Sequence, residues 1–273
     1  MEDIIYLIIN SFKSTGREEI NFSVPPLIHL IWVGSPLPAR YLIGPLSFAK
    51  LNPGEILAYF LNYTIPDHVD HMVYLWLDHP TDILQDKDNL ELHNINDEDW
   101  MNEDLLEECT NHAMRSDILR LEIVYKYGGI YVDIDATALR SFGPVFSTSF
   151  LSFRPANWTL SDKLFSQIQP KEYLLGSAGF DTNIFGFPAS SNFLAFALAA
   201  LRENFPTQTA TLYRTGPFFM KEVFLQYPFS HTIPLISVKY LGSDSKEGIL
   251  VDHPGLADWD DDEDIRKDRN MKG

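Results

Sequence analysis

The chain holds a single cysteine, Cys109, which excludes an internal disulfide framework and a cysteine-based zinc site and fits a reducing compartment. Basic residues are also scarce: 21 Lys and Arg stand against 38 Asp and Glu, a formal charge of -17. A nucleic-acid backbone or an anionic membrane is held by clustered Lys and Arg, so neither is an expected partner, although a small anion held through a metal ion is compatible with this charge. No apolar run approaches the roughly 20 residues of a spanning helix. The opening stretch MEDIIYLIINSFKSTG carries Glu2 and Asp3 where a signal peptide carries positive charge. It is expected to pack as a helix over Ile4 to Phe12, with no export signal and no anchor.

Apolar and aromatic residues, by contrast, are plentiful: at 45% and 13% of 273 residues they can bury the core of one α/β domain covering 1–273. Leu27 to Val33, Met72 to Leu77 and Leu90 to His93 are predicted strands, and Ala39 to Lys50 a predicted helix, with residues 54–71 as an insertion. An acidic stretch from Asp97 to Glu108 leads into a helix from Asn111 to Tyr127, which Gly128 and Gly129 end. FLSFRP and NIFGFP read as strands, SNFLAFALAALREN as a helix, and TGPFFMKEVFLQY as another with Pro217 in its first turn. The alternation predicts a mostly parallel sheet flanked by helices. Residues 260–273 form a charged tail.

The unusual stretch is GGIYVDIDAT. In a continuing strand Tyr131, Asp133 and Asp135 would share one face, putting the two carboxylates about 6.6 to 7 Å apart along the chain, within reach of one divalent cation or its water shell. The C-terminal end of a parallel strand is also where open α/β sheets bind ligands. On the preceding helix Met114, Ile118, Leu121 and Tyr125 make an apolar stripe, flanked by Ala113, Asp117, Arg120 and Val124. Asp117 and Arg120 are spaced for an intrahelical ion pair; alternatively, they contact sugar hydroxyls and a sugar or phosphate oxygen. Among the histidines, His29 is expected to be a satisfied core residue, and His68 and His71 to lie in surface loops.

Asn111, Ala113, Ser116, Asp117 and Arg120, followed by Gly128, Gly129, Tyr131, Asp133 and Asp135, together resemble the DXD sugar-binding region of family 32-type glycosyltransferases, relatives of the large clostridial glucosylating toxins. IHLIWVG is similar to that family's first strand and TGPFFM to a later element around Gly216 and Pro217. The resemblance implies a GT-A-like, Rossmann-type nucleotide-sugar-binding domain, with residues 23–140 as the nucleotide-binding half and 141–259 as the acceptor and closing half. It further implies a retaining transferase that moves sugar from a UDP-sugar or GDP-mannose donor to a protein or glycan acceptor. The implied cofactor is Mn²⁺ or Mg²⁺ on Asp135 and Asp133, with His253 and Asp258 as further candidate ligands. Donor contacts would come from Trp32 stacking on the base, and from Asp117, Arg120, Tyr131, Asp133, Asn183 and Trp259. Asp133, Asp135, Asp117 and Arg120 would carry catalysis. The segment VDHPGLADW departs from the family pattern by placing Asp258 where Ser or Asn precedes the tryptophan. The implied location is the cytoplasm, or a host-cell cytosol entered as an effector.

Two other functions use the same residues. YVDIDAT also fits the D-x-D-x-T signature of haloacid-dehalogenase-like phosphatases, with Asp133 as nucleophile, but the Gly-Asp dipeptide that supplies their later acidic pair is missing. A non-catalytic module that binds sugar nucleotides is the third possibility.

Overall fold

The computed structural model describes residues 23–50, 71–79, 89–139, 142, 145–146, 148–154, 179–241 and 250–253. Its strands are β1 (Leu27–Trp32), β2 (Met72–Leu77), β3 (Leu90–Asn94), β4 (Gly129–Val132), β5 (Thr137–Ala138), β6 (Phe150–Arg154), β7 (Gly179–Phe187), β8 (Leu235–Ser237) and β9 (Val251–Asp252). The helices are α1 (Ile43–Lys50), α2 (Glu103–Glu107), α3 (His112–Tyr127), α4 (Asn192–Asn204), α5 (Thr211–Arg214), α6 (Pro217–Gln226) and α7 (Val238–Leu241).

Seven strands form one sheet in the order β3-β2-β1-β4-β7-β6-β8, and β5 pairs with β9 in a separate ribbon. Strands β1 to β4 pair in parallel, β7 runs antiparallel between β4 and β6, and β8 is parallel to β6. The sheet is therefore mixed and mostly parallel, as expected. Its strand order reverses at β1 and β4, and ligands of open α/β sheets bind beyond the carboxyl ends of strands at such a reversal.

Pleating explains why β1 and β4 are apolar on both sides. Ile28, Leu30, Ile130 and Val132 enter a core with Phe48 of α1, whereas Ile31, Val33 and Tyr131 enter a second core built from α3, α4 and α6. Helix α3 begins where the Asn111 side chain accepts the Met114 N–H at 2.7 Å. It ends at Gly128 and Gly129, with φ of 68° and 107°, a left-handed pair that side-chain-bearing residues rarely adopt. A side chain at Gly129 would also press on Leu27 O and on the His29 ring.

His29 is a satisfied core residue, as expected. It is fully buried, its Nε2–H donates to Gly128 O at 2.7 Å, and its Nδ1 accepts the Trp76 indole N–H at 3.2 Å. Burial lowers its pKa to about 4. His71 differs from expectation: it is buried, with Nε2–H donating to Phe48 O at 2.7 Å, so it ties the start of β2 to α1 instead of facing water.

Other departures have local causes. The predicted helix from Ala39 divides into a 3-10 turn, Ala39–Leu42, and α1. The acidic stretch contains α2, because Glu122 on α3 accepts the N–H groups of Met101 at 3.2 Å and Asn102 at 2.9 Å just ahead of that helix. The expected helix over Ile4 to Phe12, residue His68, most of the insertion at 54–71 and the charged tail lie outside the described residues.

Candidate functional site

Strand β4 stops at Val132, one residue before the first aspartate. Asp133 N–H donates to Asn183 O on β7 at 2.9 Å, and Ala136 N–H returns to Asp133 O at 3.0 Å, so the chain turns across Ile134 and Asp135. The carboxylates were expected to share a face of a continuing strand. Instead, Asp133 is the last residue to keep the β4–β7 register, through its N–H to Asn183 O, and the turn that follows, closed by Ala136 N–H on Asp133 O, brings the two carboxylates together.

The ribbon completes the cluster. Thr137 pairs with Asp252 and Ala138 with Val251, and Leu139 N–H donates to Leu250 O at 2.8 Å. This pairing carries His253 back over the turn, with Nε2 2.8 Å from Asp135 Oδ1 and 3.8 Å from Asp133 Oδ2. Ligand atoms of Asp133, Asp135 and His253 all lie within 4.8 Å of one another. Two carboxylates and an imidazole at that separation fit a divalent cation that accepts hard oxygen and nitrogen donors.

Helix α3 supports the cluster from one side. Arg120 Nη2 lies 3.1 Å from Asp117 Oδ1, the intrahelical pair that the spacing allows. The same guanidinium reaches further, with Nη1 3.5 Å from Asp133 Oδ1 and donating to Thr182 O at 3.0 Å. Tyr131 lies under it, ring centroid 4.7 Å from the guanidinium carbon, and its hydroxyl donates to Asp133 Oδ1 at 2.7 Å. Thr215, just before α6, donates to Asp117 Oδ2 at 2.9 Å. Both Asp117 and Arg120 are buried.

Burial and charge act in opposition here. Burial raises the Asp133 pKa to about 6; Arg120 and His253 oppose the shift and Asp135 adds to it. Burial works against the charged form of His253, yet the hydrogen bond to Asp135 and the charges of Asp133, Asp135 and Asp181 outweigh it and raise its pKa to about 9. Burial raises Asp117 as well, against Arg120 and Thr215. For Arg120, burial is outweighed by Tyr131, Asp117, Asp133 and Asp181, and the proton is held more firmly.

Of the residues singled out from the sequence, Asp117, Arg120, Tyr131, Asp133, Asp135 and His253 converge, and Asn183 joins them through its main chain. Trp32 ends β1 toward the α1 side; its ring is 4.6 Å from that of Tyr41 and its indole N–H donates to Ser35 O at 2.9 Å. Asp258 and Trp259 lie outside the described residues. Sequence reasoning passed over Asp181, Thr182 and Thr215. Asp181 is buried on β7 and accepts the Asn183 N–H at 2.9 Å, where pairing with β6 shifts register between Leu151 and Ser152. A buried-strand pattern interrupted by Asp-Thr-Asn was the available signal of that bulge.

Residues 54–153 match the family described as "Glycosyltransferase sugar-binding region containing DXD motif". Over 112 residues the chain is 32% identical to "Subversion of eukaryotic traffic protein A" of Legionella pneumophila, a match covering 40% of this chain and 16% of that protein. The chain thus spans less than a fifth of that curated relative. Among solved structures, "PaToxG Glycosyltransferase" is similar with a TM-score of 0.54 at 16% identity, covering 82% of this chain and 77% of that one. The ligand-free glycosyltransferase domain from the YGT toxin aligns with a TM-score of 0.48 at 12% identity, over 80% of each chain. The fold is GT-A-like, and the chain carries a glycosyltransferase-type DXD sugar-binding region.

Proposed function

We propose that this chain is a metal-dependent, retaining glycosyltransferase that moves a sugar from a UDP-sugar or GDP-mannose to a protein or glycan acceptor in a host-cell cytosol. The observation that carries this is the convergence of Asp133, Asp135 and His253 beyond the carboxyl end of β4, beside the strand-order reversal. The match of residues 54–153 to a DXD sugar-binding region supports sugar transfer over phosphate-ester hydrolysis. The name of the Legionella relative motivates the host-cell setting.

Asp133, Asp135 and His253 would hold Mn²⁺ or Mg²⁺, which when bound neutralises negative charge on the departing nucleoside diphosphate. Asp258 is a further candidate ligand. Trp32 would stack on the base and keep the nucleotide at the end of β1. Arg120 and Tyr131 hold the Asp133 carboxylate, Asp117 holds Arg120, and Asp117 and Arg120 would also contact the sugar. Asn183 and Trp259 would line the sugar. The 23–140 half binds the nucleotide and the 141–259 half closes over sugar and acceptor. Among the described residues of the cluster each carboxylate is given a binding role and none that of nucleophile, so retention is assigned to front-face attack.

The test is to incubate the protein with Mn²⁺ and a panel of nucleotide sugars without acceptor. Slow release of nucleoside diphosphate and free sugar is expected, lost by about a thousandfold or more in Asp135→Asn, which keeps the side-chain volume and removes the charge. Metal-dependent phosphate release from a simple phosphomonoester, abolished by Asp133→Asn and with no cleavage of any nucleotide sugar, would overturn the assignment in favour of a phospho-aspartate mechanism.

A further inference from the structure

Helix α1 contributes no side chain to the Asp133, Asp135 and His253 cluster, yet it contacts the backbone that carries it. Gly44, in the first turn of α1, is buried against the Asp-x-Asp turn: a Cβ there would stand 2.5 Å from Ile134 O and 2.7 Å from Ala136 O. One helical turn on, Ser47 Oγ donates to Gly44 O at 2.6 Å and accepts the Ala138 N–H at 2.8 Å. The two residues therefore grip both sides of the segment from Ile134 to Ala138, one by leaving space for its carbonyls and one by anchoring its next amide. Alanine has the better intrinsic helix propensity, so helix formation does not call for glycine at position 44; the closeness of the two carbonyls does.

That segment sets two ligand positions at once. Asp135 lies within it, and Ala138 pairs with Val251, two residues before His253. A displacement of Ile134 to Ala138 moves Asp135 directly and moves His253 through the β5–β9 ribbon, whereas Asp133, although it accepts the Ala136 N–H, has further ties to Asn183, Tyr131 and Arg120.

We propose that Gly44 and Ser47 are positioning residues of the metal centre, holding the Ile134–Ala138 segment at the depth where Asp135 and His253 can share one cation with Asp133. This rests on the metal-dependent function proposed above. Partners one step removed from the ligands typically change metal affinity by about 10- to 100-fold, and that is the effect expected.

The experiment measures Mn²⁺ binding to the full chain by the loss of the free-ion paramagnetic signal, alongside thermal unfolding without metal. Compared with the parent chain, Ser47→Ala should weaken Mn²⁺ binding by about tenfold and Gly44→Ala by as much or more, while Ser47→Thr, which keeps the hydroxyl, should restore binding. Wild-type Mn²⁺ affinity in folded Ser47→Ala and Gly44→Ala would overturn the positioning role and leave the transferase assignment standing. Equal losses in Ser47→Ala and Ser47→Thr would also overturn it, since bulk packing rather than the hydroxyl would then be at work. A parent chain that binds no Mn²⁺ would remove the metal-dependent function, and the positioning role with it. If Gly44→Ala does not fold, the Ser47 pair decides.

Discussion

Acidification from pH 8 to pH 5 should cost the folded chain about 2 kcal/mol through His29 alone. The imidazole is fully buried, donates through Nε2 to Gly128 O and accepts the Trp76 indole N–H at Nδ1. Burial is the main reason that its pKa falls from 6.5 to about 4, with the charge of His93 acting the same way and the Gly128 hydrogen bond opposing; a second ring proton would have to sit at Nδ1, facing the Trp76 N–H. The unfolded chain takes up this proton near pH 6.5 and the folded chain resists it until about pH 4. The stabilisation is therefore complete above the unfolded pKa, declines as pH falls, and is gone below the folded pKa. Two and a half pKa units set a ceiling of about 3 kcal/mol, of which roughly two-thirds is lost by pH 5. Urea unfolding at pH 8 and pH 5 measures it, compared with His29→Gln, whose side-chain amide can donate to Gly128 O but does not titrate. The variant is expected to be less stable at pH 8 and to lose about 2 kcal/mol less between the two conditions. An equal loss in both proteins would show that His29 does not resist protonation and that its two hydrogen bonds are not the ones described.

Two predictions concern the site. Trp32→Ala should weaken nucleoside diphosphate binding by about 1 to 3 kcal/mol and raise the donor KM; a fall in thermal stability with unchanged affinity would restrict Trp32 to its packing against Tyr41. Arg120→Met should destabilise the fold by about 3 to 5 kcal/mol in urea unfolding, because it leaves the buried Asp117 and the half-buried Asp133 without their shared cation; a loss under about 1 kcal/mol would refute that account.

The parts of the molecule legible in the sequence are those whose pattern is local. The continuous apolar run of β1 could only be a strand covered on both faces, and the Asn111 cap with the Gly128–Gly129 stop bounded α3 to within a residue. The pair Asp117 and Arg120 was visible from its spacing for the same reason. The turn after Asp133 was not legible, because an alternating Asp-Ile-Asp pattern suits a continuing strand and gives no sign that Ala136 N–H closes back on Asp133 O. The two-residue strands β5 and β9 have no periodicity of their own; each exists because it pairs with the other. The burial of His71 was hidden too, since its partner is a main-chain carbonyl in α1.

The same contrast bears on how so acidic a chain could hold an anionic donor. Four carboxylates, Asp117, Asp133, Asp135 and Asp181, lie around two cationic side chains, Arg120 and His253. Arg120 is committed to Asp117, Asp133 and Thr182 O, and His253 to Asp135, so neither is free to act as a simple anchor for phosphate. The described residues of the cluster thus carry an excess of two negative charges in a poorly solvated place, where like charges are costly. A diphosphate entering alone would deepen that excess, whereas a divalent ion arriving with it removes both problems together. The net charge of -17 is thus reconciled with the proposed anionic donor when the ion comes too. In the proposed function, Asp135, His253 and the ribbon that joins them therefore carry more weight than the arginine beside them.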